Sequence, residues 1–270
     1  MTTPLSVLLY SHDSQGLGHV RRNLALAHHI AARAGTGGLR GLVVSGLAPS
    51  PLFTLPTGFD WLALPGVEKR DGGYVPRRLP GTLSETVALR SAVLGAALEG
   101  FAPDLVIVDR HPLGIRRELE APLRALRRSH PEARIVLGLR DVLDDPAVAA
   151  REWEGLGGAD ALAPLIDQVW VYGDPRVHDA TSSGEIPSAL ASRALFTGYL
   201  AAGRADEERG GRAVDSSAFT ALAVRLHAVA AELASGCVGP AGRVPGRPLA
   251  ALDLTDRLPH ACAVVGGWAA

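Results

Sequence analysis

The stretch that decides the fold is SHDSQGLGHVRRN, residues 11–23, set between an apolar run at 6–10 and a run with helical spacing. A strand that ends in a glycine-bearing loop and passes into a helix gathers free backbone N–H groups and the positive end of the helix dipole at one spot. That spot suits an anion. Gly16 and Gly18 let the loop turn sharply and let a ligand approach the main chain, and Ser14 stands in the same loop. His19 falls at the mouth of the helix, where an imidazole can serve as a general base near neutral pH. Arg21 and Arg22, one turn in, can hold phosphate oxygens bidentately. The plainer alternative is a tight strand-to-helix turn with His19 as a cap and both arginines solvated.

The spacing also excludes two nucleotide sites. A dinucleotide fingerprint needs glycine where the chain has Arg21, and an acidic residue near the end of the second strand, where it has Ser45 and Gly46. A P-loop needs Gly-Lys-Ser/Thr after the second glycine, and the only lysine is Lys69.

Outward from this stretch, short β-branched runs alternate with longer helical ones, the pattern of a doubly wound parallel sheet with helices on both faces, an α/β Rossmann-like fold. Strands are predicted at 39–45, 60–64, 105–108, 134–139, 168–172 and 193–196. Thr82 and Glu85 have capping-box spacing and open a helix to Phe101, ended by Pro103. A second helix is predicted over 115–129, and a third begins at Asp145-Pro146 and runs to about Trp153. The Gly/Pro/Arg-rich stretch 65–80 has no periodicity and reads as a long loop. Four strand ends, after Tyr10, Val108, Leu139 and Tyr172, deliver polar or glycine residues to one rim, among them Asp109, Arg140 and Asp141. Ligands of open α/β sheets bind at that edge. His28 and His29, inside the first helix, read as surface or core-edge residues.

Composition bounds the rest. With 270 residues, 47% of them hydrophobic, and a net charge of -1, the chain is of ordinary globular character, and the balance offers no electrostatic argument for nucleic acid. Cys237 and Cys262 are too few for a disulfide framework, and the N-terminus lacks a signal-type core, so a cytoplasmic location is expected. No window reaches the roughly 18 apolar residues of a spanning helix, which leaves peripheral membrane contact open. Metal-binding and Gly-x-Ser-x-Gly motifs are missing.

Five ordered blocks carry a family resemblance: YSHDSQGLGHVRRN (10–23), VDRHPLGIRREL (108–119), GLRDVLDDP (138–146), VWVYGDP (169–175) and FTGYL (196–200). Together they resemble a group of bacterial predicted glycosyltransferases with the two-domain GT-B fold. These are related to family 28, which includes the N-acetylglucosaminyltransferase of peptidoglycan lipid synthesis. The resemblance implies an acceptor-binding N-terminal domain, a C-terminal domain for a nucleotide-diphosphate sugar, and hexosyl transfer in the cleft between them without a bound metal or a further cofactor. His19 would deprotonate the acceptor hydroxyl, and Gly16 and Gly18 would shape the diphosphate-facing loop. Asp109, Arg140 and Asp141 lie in matching blocks, and substrate binding is inferred for them from their strand-end positions. The acceptor would be a small molecule or a lipid-linked one. Where the peptidoglycan enzyme has Gly-Gly-x-Gly-Gly-His, this chain has Gln15 in place of the outer glycine.

The expected organisation is a Rossmann-like domain over 1–200, a linker over 201–218 and an incomplete donor-domain remnant over 219–270, with a helix at 219–233 and a short strand at 261–265. A full donor domain needs about another 150 residues, so a truncated gene product is expected. The competing reading is a noncatalytic ligand-binding or regulatory protein derived from the same fold. A sugar-nucleotide epimerase on this architecture ranks third.

Overall fold

The computed structural model describes residues 4–12, 17–34 and 38–200. Seven parallel strands form one sheet in the order β3-β2-β1-β6-β7-β8-β9. They are β1 (Leu5–Ser11), β2 (Leu39–Ser45), β3 (Phe59–Ala63), β6 (Leu105–Asp109), β7 (Arg134–Arg140), β8 (Gln168–Tyr172) and β9 (Ala194–Phe196). The order reverses between β1 and β6, the switch point at which doubly wound sheets bind ligands. The Rossmann-like α/β reading therefore holds.

Alternation along β1 separates two cores. Val7 and Leu9 pack with Leu26, Ala27 and Ile30 of α1 (Gly18–Arg33) on one face, while Leu8 and Tyr10 pack with Leu94 and Leu98 of α2 (Leu83–Phe101) on the other. Side chains point to opposite faces in turn, so a strand buried on both sides must be apolar throughout, as LSVLLYS nearly is. The capping box at the start of α2 is present: Thr82 Oγ1 accepts from Glu85 N, and Glu85 Oε2 accepts from Thr82 N at 2.7 Å. Asp145 caps α4 (Pro146–Gly155), with proline in its first turn. Two short helices, α5 (Gly158–Leu162) and α6 (Ser188–Ala191), complete the described chain without having been foreseen.

Two expectations are corrected. The stretch 65–80 is not a structureless loop but carries an antiparallel hairpin, β4 (Val67–Arg70) with β5 (Gly73–Pro76). Its two-residue turn is Asp71-Gly72, with φ of 49° and 80°, a sequence that accepts two left-handed residues. β4 is too short and too charged to show alternation, and β5 is too short. The helix expected over 115–129 breaks in two: Ile115–Arg117 forms a 3₁₀ turn with Arg116 and Arg117 left-handed, and α3 runs only over Glu120–Ser129. Pro122 explains the start point. It lacks an N–H and is tolerated in a first turn, whereas a helix begun at Ile115 would hold it in the interior.

Ser14, Gly16, the linker, the helix at 219–233 and the strand at 261–265 lie outside the described residues. Among the described residues no helix is long and apolar enough to cross a membrane.

Candidate functional site

The switch point brings together residues from three elements. The register Tyr10–Val108 sets the ends of β1 and β6 level, so His12 follows one strand, Asp109 ends the other and His111 follows it, while α1 begins above them. His19 Nδ1 lies 2.5 Å from Asp109 Oδ2. Arg22, one turn further along α1, forks onto the same carboxylate, Nε to Oδ1 at 2.9 Å and Nη2 to Oδ2 at 2.8 Å. Its Nη2 also stands 2.9 Å from His19 Nδ1, so guanidinium, imidazole and carboxylate share one contact. The carboxylate is the nearer partner and only accepts, which assigns the imidazole proton to Nδ1 and leaves Nε2 as the basic nitrogen; the approach of Arg22 Nη2 to Nδ1 is then a contact between two donors and not a hydrogen bond. His19 keeps 19% of its side chain exposed while Asp109 keeps 1%. The imidazole is partly open to solvent, and the carboxylate behind it is sealed.

Three of the expected residues are placed as follows. Asp109 is buried behind His19 and pairs with its imidazole. Arg22 spends its fork on Asp109 instead of standing open for phosphate. Gly18 adopts no left-handed φ and opens α1 as an ordinary helical residue, so it makes no sharp turn. Among the described residues a Cβ added there would meet only Arg22 Nη1, at 3.8 Å. What the glycine supplies is room at the helix mouth, where no side chain of the described residues caps α1 and no acidic residue occupies the first turn. Arg21 is exposed.

Arg140 and Asp141 belong to a different part of the rim. β7 lies two strands from β1, about 10 Å at ordinary strand spacing. Arg140 Nη2 donates to Leu143 O, and Asp141 packs against Gly173 at the end of β8. Burial, then the charge of Asp141, raises the Tyr199 phenol above its ordinary pKa. The structure does not bring this pair to His19.

Sequence reading missed the neighbours of His19. The ring of His12 sits 4.9 Å from that of His19 and 4.4 Å from that of His111, and the His19 and His111 rings are 6.4 Å apart. The signal was available, since two neighbouring parallel strands each run into histidine within three residues of a shared register. Tyr172 was missed as well. Its ring crosses Gly138 on β7, where an added Cβ would fall 2.1 Å from the hydroxyl, and the hydroxyl finds no hydrogen-bond partner among the described residues. Burial, then the charge of Asp109, pushes this phenol up, so it stays protonated beside the carboxylate. As expected of core-edge residues, His29 is buried and His28 Nε2 pairs with Thr54 O at 2.9 Å.

Burial, then the nearby imidazoles and arginines, lowers His12 to about 2, and burial followed by Arg110 lowers His111 to about 4. Both are neutral at pH 7. In the unfolded chain their ordinary value is near 6.5, so below that pH the unfolded state takes up protons that the folded state refuses. Stability is expected to be highest above pH 6.5 and to fall as pH drops towards about 4, where folded His111 begins to protonate. Urea denaturation at pH 7 and pH 5 checks this, and the midpoint should be lower at pH 5.

Among the described residues no group of three or more His, Cys, Asp or Glu side chains is arranged to hold a metal ion. No family model matches the chain, and no curated protein matches it. Among solved structures it is similar to an S. aureus MnaA-UDP co-structure, at 14% identity and TM-score 0.39, covering 74% of this chain and 44% of that one. It is also similar to Os79 Q202A from O. sativa in complex with UDP, at 14% identity and TM-score 0.37, covering 72% and 51%. A third likeness is to a chitinase from Chromobacterium violaceum ATCC 12472, at 12% identity and TM-score 0.31, covering 72% and 68%. The chain spans about half the length of the first two.

Proposed function

We propose that this chain is a glycosyltransferase of the GT-B, family 28-like group, moving a hexosyl unit from a nucleotide-diphosphate sugar to an acceptor hydroxyl. The observation that carries this reading is the His19–Asp109 pair standing at the mouth of α1. His19 Nε2 takes the proton of the acceptor hydroxyl as its oxygen attacks the anomeric carbon from the face opposite the leaving group, giving inversion. The bond from that carbon to the diphosphate oxygen breaks, and the electron pair leaves with the diphosphate. Backbone N–H groups of the first turn, with Arg21 exposed beside them, stabilise that developing charge, which is greatest where water is excluded. Asp109 holds the imidazole in the productive tautomer and offsets the positive charge it acquires. The donor is the co-substrate, and no other cofactor is assigned a role. The acceptor side, small or lipid-linked and reached at a membrane surface in the second case, follows from the resemblance.

Gly18→Leu tests the location of the diphosphate. Its side chain would fill the helix mouth, yet among the described residues a Cβ meets nothing nearer than 3.8 Å, so the fold should survive. Calorimetric titration with UDP- and dTDP-hexoses is expected to show saturable binding to the parent chain. The variant should bind at least about tenfold more weakly, a loss of about 1.4 kcal/mol, with an unchanged melting temperature. Equal affinity in both would move the diphosphate away from α1.

A further inference from the structure

Beside the histidines lies a hollow of about 180 Å³ lined by Arg110, His111, Pro112, Glu152, Trp153 and Leu156. Its walls come from the turn after β6 and the end of α4. The turn is held in shape: His111 N donates to Asp109 O at 2.8 Å, Gly114 N donates to His111 O at 2.9 Å, and Arg110 sits left-handed at φ 65°. A non-glycine residue kept in that region costs about 1 kcal/mol or more and recurs where a binding surface is preformed.

The lining specifies the ligand. Trp153 Nε1 already donates to Glu185 O at 2.8 Å, so the indole offers the hollow carbon surface alone. Pro112 and Leu156 add more. Arg110 and Glu152 pair with each other, Nη2 to Oε2 at 2.7 Å, which leaves neither demanding a charged ligand. His111 remains as the polar group, and its imidazole has one donor and one acceptor. An apolar cavity of about 150 Å³ holds one benzene ring, so this volume matches a single ring with one substituent.

We infer that this hollow is the acceptor subsite of the proposed transferase and that it takes a neutral, single-ring alcohol, with the ring between Pro112, Trp153 and Leu156 and the hydroxyl on His111. The inference rests on the transferase reading for the word acceptor, but the pocket and its ligand class stand on the lining. The His111 ring is 6.4 Å from that of His19, a spacing that one hydroxyl oxygen hydrogen-bonded to both rings spans. In the transfer that hydroxyl oxygen bonds the anomeric carbon of the hexosyl group, its proton passes to His19, and the nucleoside diphosphate departs with the electrons of the broken bond.

Calorimetric titration of the full chain with phenol, cyclohexanol and 1-hexanol tests this, followed by a transfer assay with the rings that bind. Both rings are expected to bind saturably in the millimolar range and at least fivefold more tightly than 1-hexanol. Leu156→Trp should fill the hollow and weaken ring binding at least tenfold, and Leu156→Ala, which leaves room, should retain binding even if the bulkier variant does not fold. Rings that bind without accepting a hexosyl unit uphold the pocket and count against the transferase. No saturable ring binding, or equal binding of 1-hexanol, overturns the pocket itself.

Discussion

His19→Ala is expected to lower hexosyl transfer by about 10²- to 10⁴-fold while leaving the melting temperature nearly unchanged. The range is that of a positioned general base, and it corresponds to about 3–5 kcal/mol of transition-state stabilisation. Stability should hold because the imidazole is only partly buried and its removal leaves Asp109 still forked by Arg22. Asp109→Asn should lose about 10²-fold or more, because an amide no longer dictates which imidazole nitrogen carries the proton. The two losses should not add. Once the base is gone its orienting partner has nothing to orient, so the double variant is expected to match His19→Ala within about threefold. A variant within threefold of the parent enzyme would remove His19 from the mechanism and reduce the site to a binding surface.

The parts of this site that were legible in sequence are those fixed by local rules. A buried strand, a glycine-bearing turn and a helix start follow from residues 6–23 alone, and so His19 at the helix mouth could be read directly. The partner of His19 could not. Asp109 lies 90 positions away, and its identity as a partner depends on β6 lying beside β1, which is a matter of strand order. The same order pairs His12 with His111 and carries Arg140 and Asp141 away from them, although all stand at the carboxyl ends of parallel strands. Strand ends share a rim without sharing a site.

Errors in the elements have similarly local causes. Asp71-Gly72 is a hairpin signal that the surrounding charge obscured, because Glu68, Lys69 and Arg70 give no apolar face to read. Pro122 marks the true start of α3, while Ile115, Leu119 and Leu123 recur every four residues as along a helix face. That spacing is real and serves burial: all three side chains lie in the core even though the backbone between them turns left-handed. Periodicity reports which residues are buried, and a helix is only the commonest way to bury them.

Arg90→Met is expected to be the most destabilising single change in the described residues, by about 3–5 kcal/mol. Arg90 and Glu118 are a fully enclosed ion pair, 0% and 1% exposed, joined Nε to Oε2 at 2.5 Å and Nη2 to Oε1 at 2.7 Å. Tyr10 donates its hydroxyl to the same carboxylate, and Arg90 Nη1 donates to Pro65 O at 2.7 Å. Burial, then the charge of Glu118, holds the Tyr10 phenol well above its ordinary pKa, so it remains a donor. Removing the guanidinium leaves a carboxylate with no compensating charge in a site closed to water. That cost is larger than the net worth of the pair, since the attraction mostly offsets the desolvation of both partners. For a region of about 200 residues each kcal/mol is worth about 2–4 °C, so melting should fall by about 10 °C. Arg90→Met combined with Glu118→Leu and Tyr10→Phe is expected to recover most of the loss, because no buried charge then lacks a partner. The effect should reach the site as well. Tyr10 precedes Ser11 and His12 on β1, and Glu118 closes the left-handed turn that leads out of His111, so the ion pair anchors both strand ends beneath the histidines. Arg90→Met is therefore expected to weaken ring binding beside His111 at temperatures well below its melting point, and the triple variant to restore it. Thermal denaturation followed by circular dichroism, with calorimetric titration at 20 °C, checks both. A single variant within about 1 kcal/mol of the parent, or a triple variant no more stable than the single one, would show that water or another group reaches Glu118 and that its burial is relieved on loss of Arg90.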